Sequence, residues 1–285
     1  MKIILSPESA KKLVTKKCDP DSINNFDADL VNELIEPIKA FGKFYFRYTV
    51  EGLEKIPEGP AMIVGNHNAG ITFLEPFFFV AEWYTKTGGA DPIYPLTHDA
   101  MLAIPLVKNL LMMGGAMRAS YESSDTILSN GRKLLVFPGG NYEAFRTFKD
   151  RFKVDFGGHK GFTKVSLKHN VPIVPLASIG GQETFIVLSK GEKLAKLLHT
   201  DKLFRSKTCA VSLALPWGIL VGPFFHLPLP AKTEIEVCDP IYPEEVCKGL
   251  NTMEEKIDAL YNAVTGALQE KLTAASYRRK LPLVG

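Results

Sequence analysis

Apolar positions along the chain follow two periods in alternation. Residues 24–42 place Leu30, Leu34, Ile35 and Ile38 at helical spacing, with Pro37 as a candidate kink, and predict an amphipathic helix. Residues 45–53 alternate as a strand does, and the short apolar run 61–65 predicts a second strand. A buried helix is expected over 74–86, a strand over 91–98 and one helix over 99–115 that ends at glycine. Downstream, 134–138 and 171–181 read as apolar strands ending in glycine, 158–170 as a helix and 233–241 as a late strand. The clearest helix covers 252–275, with Met253, Ile257, Leu260, Tyr261, Val264, Leu268 and Leu272 on one face.

Strands that alternate with helices predict an α/β fold, a single domain with a largely parallel or mixed central sheet flanked by helices. An N-terminal helical segment is expected over 1–44 and the α/β domain over 45–285. Ligands of such sheets bind beyond the carboxyl ends of strands. His67, His98, the Gly139–Gly140 turn and the Gly180–Gly181 turn all fall at such ends.

Composition narrows the function classes. With 46% hydrophobic and 23% charged residues, the 285-residue chain suits a globular protein with a sizeable core. A net charge of +3 is too mild for a dedicated nucleic-acid binder, yet it suits a phosphorylated cofactor or an acidic membrane surface. Cys18, Cys209, Cys238 and Cys247 lack the spacing of a zinc site or a redox pair, and read as reduced core thiols. The apolar run at the N-terminus is too short for a signal peptide, so an intracellular location is expected. Residues 208–231 carry no charge and four prolines, Pro216, Pro223, Pro228 and Pro230, which argue against a spanning helix. Two readings stay open there: an interfacial segment with Trp217, Phe224 and Phe225 at a membrane boundary, or an internal loop that caps the core.

His67 follows the apolar run of 61–64 inside a glycine-containing stretch and titrates near working pH, as a general base must. Glu75, eight residues on, can hold one ring nitrogen if the loop folds back, leaving the other for substrate; otherwise it is an acid at a helix start. Gly139 and Gly140 allow close backbone approach, and amides there could hold a phosphate or a developing oxyanion. Glu143 and Arg146 follow: Arg146 could pair with a phosphate, and Glu143 could contact an acceptor hydroxyl or pair with Arg146. His98–Asp99 either lines the same cleft or is a capping Asp99 beside a structural His98. His159, His169, His199 and His226 carry no useful pattern.

These motifs resemble the glycerolipid acyltransferase superfamily. The matching stretches are Asn66–His67, then Ala103-Ile104-Pro105 with Gly114-Gly115 and Arg118, then Phe137-Pro138-Gly139-Gly140, then Val171-Pro172-Ile173-Val174-Pro175. Order and separation agree over roughly residues 45–180, and the downstream chain is similar to a bacterial-type branch. Two positions depart from the pattern. The residue five after His67 is Thr72 where the superfamily most often has Asp, which makes Glu75 its natural substitute. Gly139 stands where Phe-Pro-Glu-Gly has Glu; the Phe-Pro-Gly-Gly form resembles mono- and diacylglycerol acyltransferases more than lysophosphatidate enzymes.

The resemblance implies transfer of a fatty acyl group from acyl-CoA or acyl carrier protein to a lipid hydroxyl, by direct attack without an acyl-enzyme. It implies His67 and Glu75 as catalytic residues. Asn66, Arg118, Phe137, Pro138, Gly139, Gly140, Glu143 and Arg146 become substrate-binding candidates. Arg118, Arg146, Lys149 and Lys160 are candidates for the phosphates of CoA or a headgroup, or ordinary solvated charges. No metal or cofactor beyond the thioester co-substrate is implied, no nucleic-acid partner is expected, and a cytoplasmic protein peripherally bound to a membrane surface is. The alternative is a lipid- or acyl-CoA-binding protein on the same scaffold with weak or absent catalysis. A hydrolase lacks the Gly-x-Ser-x-Gly motif it would need.

Overall fold

In the computed structural model, residues 5–68, 70, 72–197, 209–222, 226–279, 281 and 283–284 are described. The central sheet has seven strands: β1 (Thr49–Glu51), β2 (Met62–Gly65), β3 (Ile93–Thr97), β4 (Met117–Arg118), β5 (Lys133–Val136), β6 (Ile173–Ile179) and β10 (Glu234–Val237), in the order β1-β10-β6-β2-β5-β3-β4. From β6 to β4 every pair is parallel. β10 runs antiparallel to β6, and β1 pairs parallel to β10, so the sheet is mixed but mostly parallel.

Strand side chains alternate between faces, and the apolar sequence uses both. Met62 and Val64 of β2, Leu134 of β5, and Ile173, Ala177 and Ile179 of β6 enter one core, with Leu260, Val264, Leu268 and Leu272 of the final helix. Ile63, Leu135, Val174 and Leu176 enter the opposite core, with Phe78, Phe79, Trp83 and Tyr84. The fold is therefore three layers, helix–sheet–helix. The helices are α1 (Pro7–Thr15), α2 (Ala28–Phe41), α3 (Glu75–Thr87), α4 (Asp99–Leu102), α5 (Val107–Met113), α6 (Tyr121–Ser129), α7 (Gly140–Ala144), α8 (Gly161–His169), α9 (Glu192–Leu197), α10 (Pro243–Val246) and α11 (Met253–Arg278). α11 starts in a capping box formed by Thr252 and Glu255.

Three expectations change. α2 runs through Pro37 and passes into a π-helical turn over Gly42–Phe46, so the strand expected over 45–53 shrinks to β1. The single helix expected over 99–115 is two: Pro105 lacks the N–H that a continuing helix would use, and a γ-turn forms instead. Its central residue, Leu106, has φ 65° and ψ −49°, and the Val107 N–H donates to the Pro105 carbonyl at 2.8 Å. Finally, the uncharged stretch 208–231 contributes β8 (Val211–Ala214) and β9 (Gly218–Val221), which join β7 (Ile186–Ser189) in a separate three-stranded antiparallel sheet. Phe224, Phe225 and His199 lie outside the described residues.

Leu268 is fully buried and Tyr277, on the same helix, is 80% exposed. Leu268→Ala should cost about 2–5 kcal/mol in urea unfolding, and Tyr277→Ala should stay within about 0.5 kcal/mol of the parent.

Candidate functional site

β2 ends at Gly65, and the next three residues continue its two-residue alternation. Asn66 and Asn68 both turn to β6: their Nδ2 atoms donate to the Ser178 carbonyl at 2.9 and 3.2 Å, and the Ser178 N–H returns a bond to Asn66 Oδ1 at 2.8 Å. His67, between them, faces the other way. Its ring stacks on Phe73 at a centroid distance of 4.0 Å and meets the edge of Phe137 at 5.9 Å. Gly65 is needed here because a Cβ would stand 2.3 Å from Phe137 Cε1.

The His67 Nδ1 lies 3.1 Å from the Asn68 carbonyl oxygen. A carbonyl only accepts, so Nδ1 carries the proton and Nε2 keeps a lone pair. Burial pushes the imidazole down to about 4; the bond to Asn68 works against that shift, and the nearby Arg146 charge adds to it. The ring is thus neutral at neutral pH, and burial makes it a weaker base than a solvated imidazole.

Beneath the ring is a buried charged cluster. Glu143 Oε2 accepts from the His67 backbone N–H at 2.8 Å, and its Oε1 accepts from Arg146 Nη1 at 2.8 Å and from the Asp155 N–H at 3.3 Å. Arg146 Nη2 donates to Asn68 Oδ1 at 2.7 Å, and Nη1 also to the Lys153 carbonyl at 2.5 Å. Glu75 Oε1 accepts from Asn68 Nδ2 at 3.2 Å and from Ser178 Oγ at 3.1 Å; Oε2 accepts from the Leu74 N–H at 3.1 Å. Burial raises both carboxyls, Glu143 to about 7, against the pull of Arg146 and the backbone donors.

The structure brings His67, Glu143, Arg146 and the Phe137–Gly140 turn together. Glu75 joins them one step removed: its oxygens go to Asn68, Ser178 and Leu74, and it reaches the imidazole through Asn68. Arg146 is 3% exposed and both its terminal nitrogens are bound from within, only its buried Nε lacking an acceptor, so it supports the site from below rather than meeting a phosphate at the surface. Asn66 is fully buried and clamps β2 to β6. The Gly140 N–H, expected to be open to a ligand, donates to the Phe137 carbonyl at 3.1 Å. Pro138 presents its carbonyl to His159 Nδ1 at 3.0 Å. Arg118 pairs with Asp21 at 3.1 Å and Asp99 at 3.5 Å, Lys160 pairs with Asp258 at 2.6 Å, and Lys149 is exposed. His98, not Asp99, caps α4, accepting the Ala100 N–H on Nδ1 at 3.1 Å.

Gly139 has a structural reason. A Cβ there would fall 2.5 Å from both Cβ and Oε2 of Glu143. The Glu143 carboxylate therefore occupies the space beside the turn that a side chain at 139 would enter.

Several contributors were not legible in the sequence. Ser178 and His226 gave no signal, and Asn68 only its polar character beside His67; the Gly180–Gly181 turn stands out as a strand end, without a role. Gln182 Nε2 donates to the Arg146 carbonyl at 2.6 Å. His226 stacks on Phe185 at 4.0 Å, with its Nε2 2.8 Å from Thr72 Oγ1. Position 72, where an acid was expected by resemblance, thus meets an imidazole from the far end of the chain.

A family model described as diacylglycerol acyltransferase matches residues 32–281. That match and the fold define a member of the glycerolipid acyltransferase superfamily. Within it, the chain belongs to the diacylglycerol acyltransferase family. It is 29% identical over 219 residues to an uncharacterized protein of Mycobacterium leprae, covering 76% of this chain and 57% of that protein. It is 29% identical over 224 residues to a mouse protein named DGAT1/2-independent enzyme synthesizing storage lipids, covering 78% and 60%. It is 26% identical over 245 residues to mouse 2-acylglycerol O-acyltransferase 1, covering 82% and 71%. The chain thus spans 57–60% of the length of the first two of these relatives. The crystal structure of the 1-acyl-sn-glycerophosphate acyltransferase PlsC from Thermotoga maritima shares the fold, with a TM-score of 0.53 at 19% identity over 88% of this chain and 83% of that one.

Two outcomes test the site as a structure. In Gly181→Ala the new Cβ would lie 1.7 Å from Glu75 Oε1, so thermal unfolding should show a loss of about 1–3 kcal/mol or more. The second is a pH effect. His67 has a folded-state pKa of about 4, below the unfolded value of about 6.5. Its contribution is present in full above the unfolded value and is lost as pH falls from there towards 4. Glu143, raised to about 7 from 4.5, has the opposite sign: its contribution is present at low pH and is lost as pH rises through that window. Stability curves of the parent and His67→Phe should therefore converge on acidification below the unfolded histidine pKa, and the parent and Glu143→Gln on raising pH towards 7.

Proposed function

We propose that this chain is an O-acyltransferase that moves a fatty acyl group from a thioester, acyl-CoA or acyl carrier protein, to the hydroxyl of a lipid such as an acylglycerol. Family membership and the similarity to 2-acylglycerol O-acyltransferase 1 support the acceptor class. The observation that carries the reading is the His67 tautomer: Nδ1 is held by the Asn68 carbonyl, which leaves Nε2 able to take a proton.

In this reading an alcohol, too weakly acidic to attack a thioester unaided, gives its proton to Nε2 as its oxygen bonds to the thioester carbonyl carbon. The tetrahedral intermediate collapses, the C–S bond breaks, and the proton passes from the imidazolium to the departing thiolate. Ester and free thiol are the products, and no residue is acylated. Glu143 accepts from the His67 backbone N–H and Glu75 from the Asn68 side chain, so both hold the segment that carries the ring. Arg146 holds Glu143 and Asn68 in position. The reading also includes peripheral contact with a membrane; among the described residues no helix is long and apolar enough to cross one.

A second reading, a thioester- and lipid-binding protein without turnover, is favoured by two observations: Glu75 bonds Asn68 rather than the imidazole, and the Gly140 amide is taken up by the Phe137 carbonyl. Purified protein incubated with labelled acyl-CoA and mono- or diacylglycerol separates the two. Labelled ester is expected from the parent. His67→Ala should lose about 10²–10⁴-fold of the rate or more while a cooperative melt and a parent-like circular dichroism spectrum show that it still folds. Full turnover in that variant would remove His67 as the base, and donor binding without ester would favour the binding protein.

A further inference from the structure

The three-stranded sheet has apolar residues on both sides. Its inner side, with Val187, Ala214 and Leu220, packs on Ala144, Phe145 and Phe185, next to the segment that carries Glu143 and Arg146. Its outer side should be polar if it met only water. Instead Leu188 is 53% exposed, Leu213 40%, Ile219 70% and Val221 41%, and the β8–β9 turn adds Leu215 at 47% and Trp217 at 61%. Register makes these one patch: Leu213 sits opposite both Ile219 and Ile186, and Val211 opposite Val221. Scattered exposed leucines need no explanation, but a contiguous apolar sheet face does.

A second exposed apolar feature is the γ-turn between α4 and α5. Ile104 is 45% exposed, Leu106 59% and Leu110 37%. Leu106 holds a positive φ that a leucine rarely adopts, and its side chain is placed outward without covering any core.

Topology relates the two features to the site. The small sheet follows the carboxyl end of β6, and the γ-turn follows the carboxyl end of β3. In the order β6-β2-β5-β3, these strands flank β2 and β5, which deliver His67 and the Phe137–Gly140 turn. The apolar features thus bracket the rim on which the candidate site lies. Cations accompany them: Lys190, Lys193 and Lys196 follow β7, and Lys108 lies on α5 just past the γ-turn.

We infer that the outer face of β7–β9 and the Ile104–Leu106 turn together form a docking surface for a lipid bilayer with anionic headgroups, seating the rim with His67 against the membrane. Apolar side chains with a tryptophan at the boundary and lysines beside them match the layered chemistry of such a surface, apolar below and negative above. This inference rests on the lipid-acceptor reading for its purpose, since a bilayer-resident hydroxyl can reach His67 only if the rim meets the membrane.

The test measures binding apart from turnover. The protein is mixed, without acyl donor, with vesicles of phosphatidylcholine alone or with phosphatidylglycerol added, and floated on a density gradient. Co-flotation is expected, stronger with phosphatidylglycerol and weakened by salt. Of the two tryptophans, Trp83 is 5% exposed, so a vesicle-induced blue shift should come from Trp217 and vanish in Trp217→Phe. Ile219→Ser with Leu213→Ser, and separately Leu106→Ser, should each weaken vesicle affinity by about tenfold. Turnover of a short-chain acylglycerol dispersed as monomers should be unchanged in these variants, and turnover of vesicle-borne acceptor should fall with binding. Unchanged vesicle affinity in both variants overturns the inference. So does a parent that ignores vesicles but sediments as a dimer which Ile219→Ser breaks, because the patch then belongs to a second copy. Vesicle binding that follows these substitutions with no ester formed on any acceptor would sink the transferase reading and leave the docking surface standing.

Discussion

Two carboxylates and a guanidinium buried under one imidazole constrain everything around them. Glu75, Glu143 and Arg146 are at most 5% exposed, and a buried charge without partners costs several kcal/mol. The cluster is tolerable only because its carboxylate oxygens and both terminal nitrogens of the guanidinium find partners. Those come from well-separated parts of the chain: Asn68 after β2, Ser178 on β6, Asp155 beyond α7, and the backbone of His67 itself. The cost of burial and the precision of the site are thus linked, since moving any of these groups uncovers another.

The sheet makes such a meeting possible. β2 lies between β6 and β5, so residues just past its end have neighbours on both sides. The two-residue alternation sends Asn66 and Asn68 to β6 and leaves His67 facing the aromatic rings of Phe73 and Phe137. The same alternation, a few residues earlier, feeds both hydrophobic cores. One periodicity therefore fixes the packing of the domain and the direction of the proton acceptor.

Much of this was legible in the chain. Apolar runs and their glycine ends predicted β2, β5, β6 and α11, because buried parallel strands and amphipathic helices are written locally. His67, Glu143, Arg146 and the Phe137–Gly140 turn were picked out together, and the fold joins them. Glu75 was expected on the imidazole and is found on its neighbour Asn68. That distinction depends on Ser178, 103 residues further along, whose hydroxyl draws the carboxylate away. His226, 154 residues from Thr72, was invisible for the same reason. The break at Pro105 was written in the sequence, but apolar residues on both sides concealed it. The small sheet was hidden because the prolines and the lack of charge over 208–231 point to an interfacial segment or a loop, although its short apolar runs are those of strands.

Gly139 and Glu143 tie the shape of the turn to the position of the base. A side chain at 139 would meet the Cβ of residue 143 as closely as its carboxylate, so any residue larger than glycine there forces the turn and the first residues of α7 apart. Because Glu143 also holds the His67 backbone, that displacement would reach the imidazole.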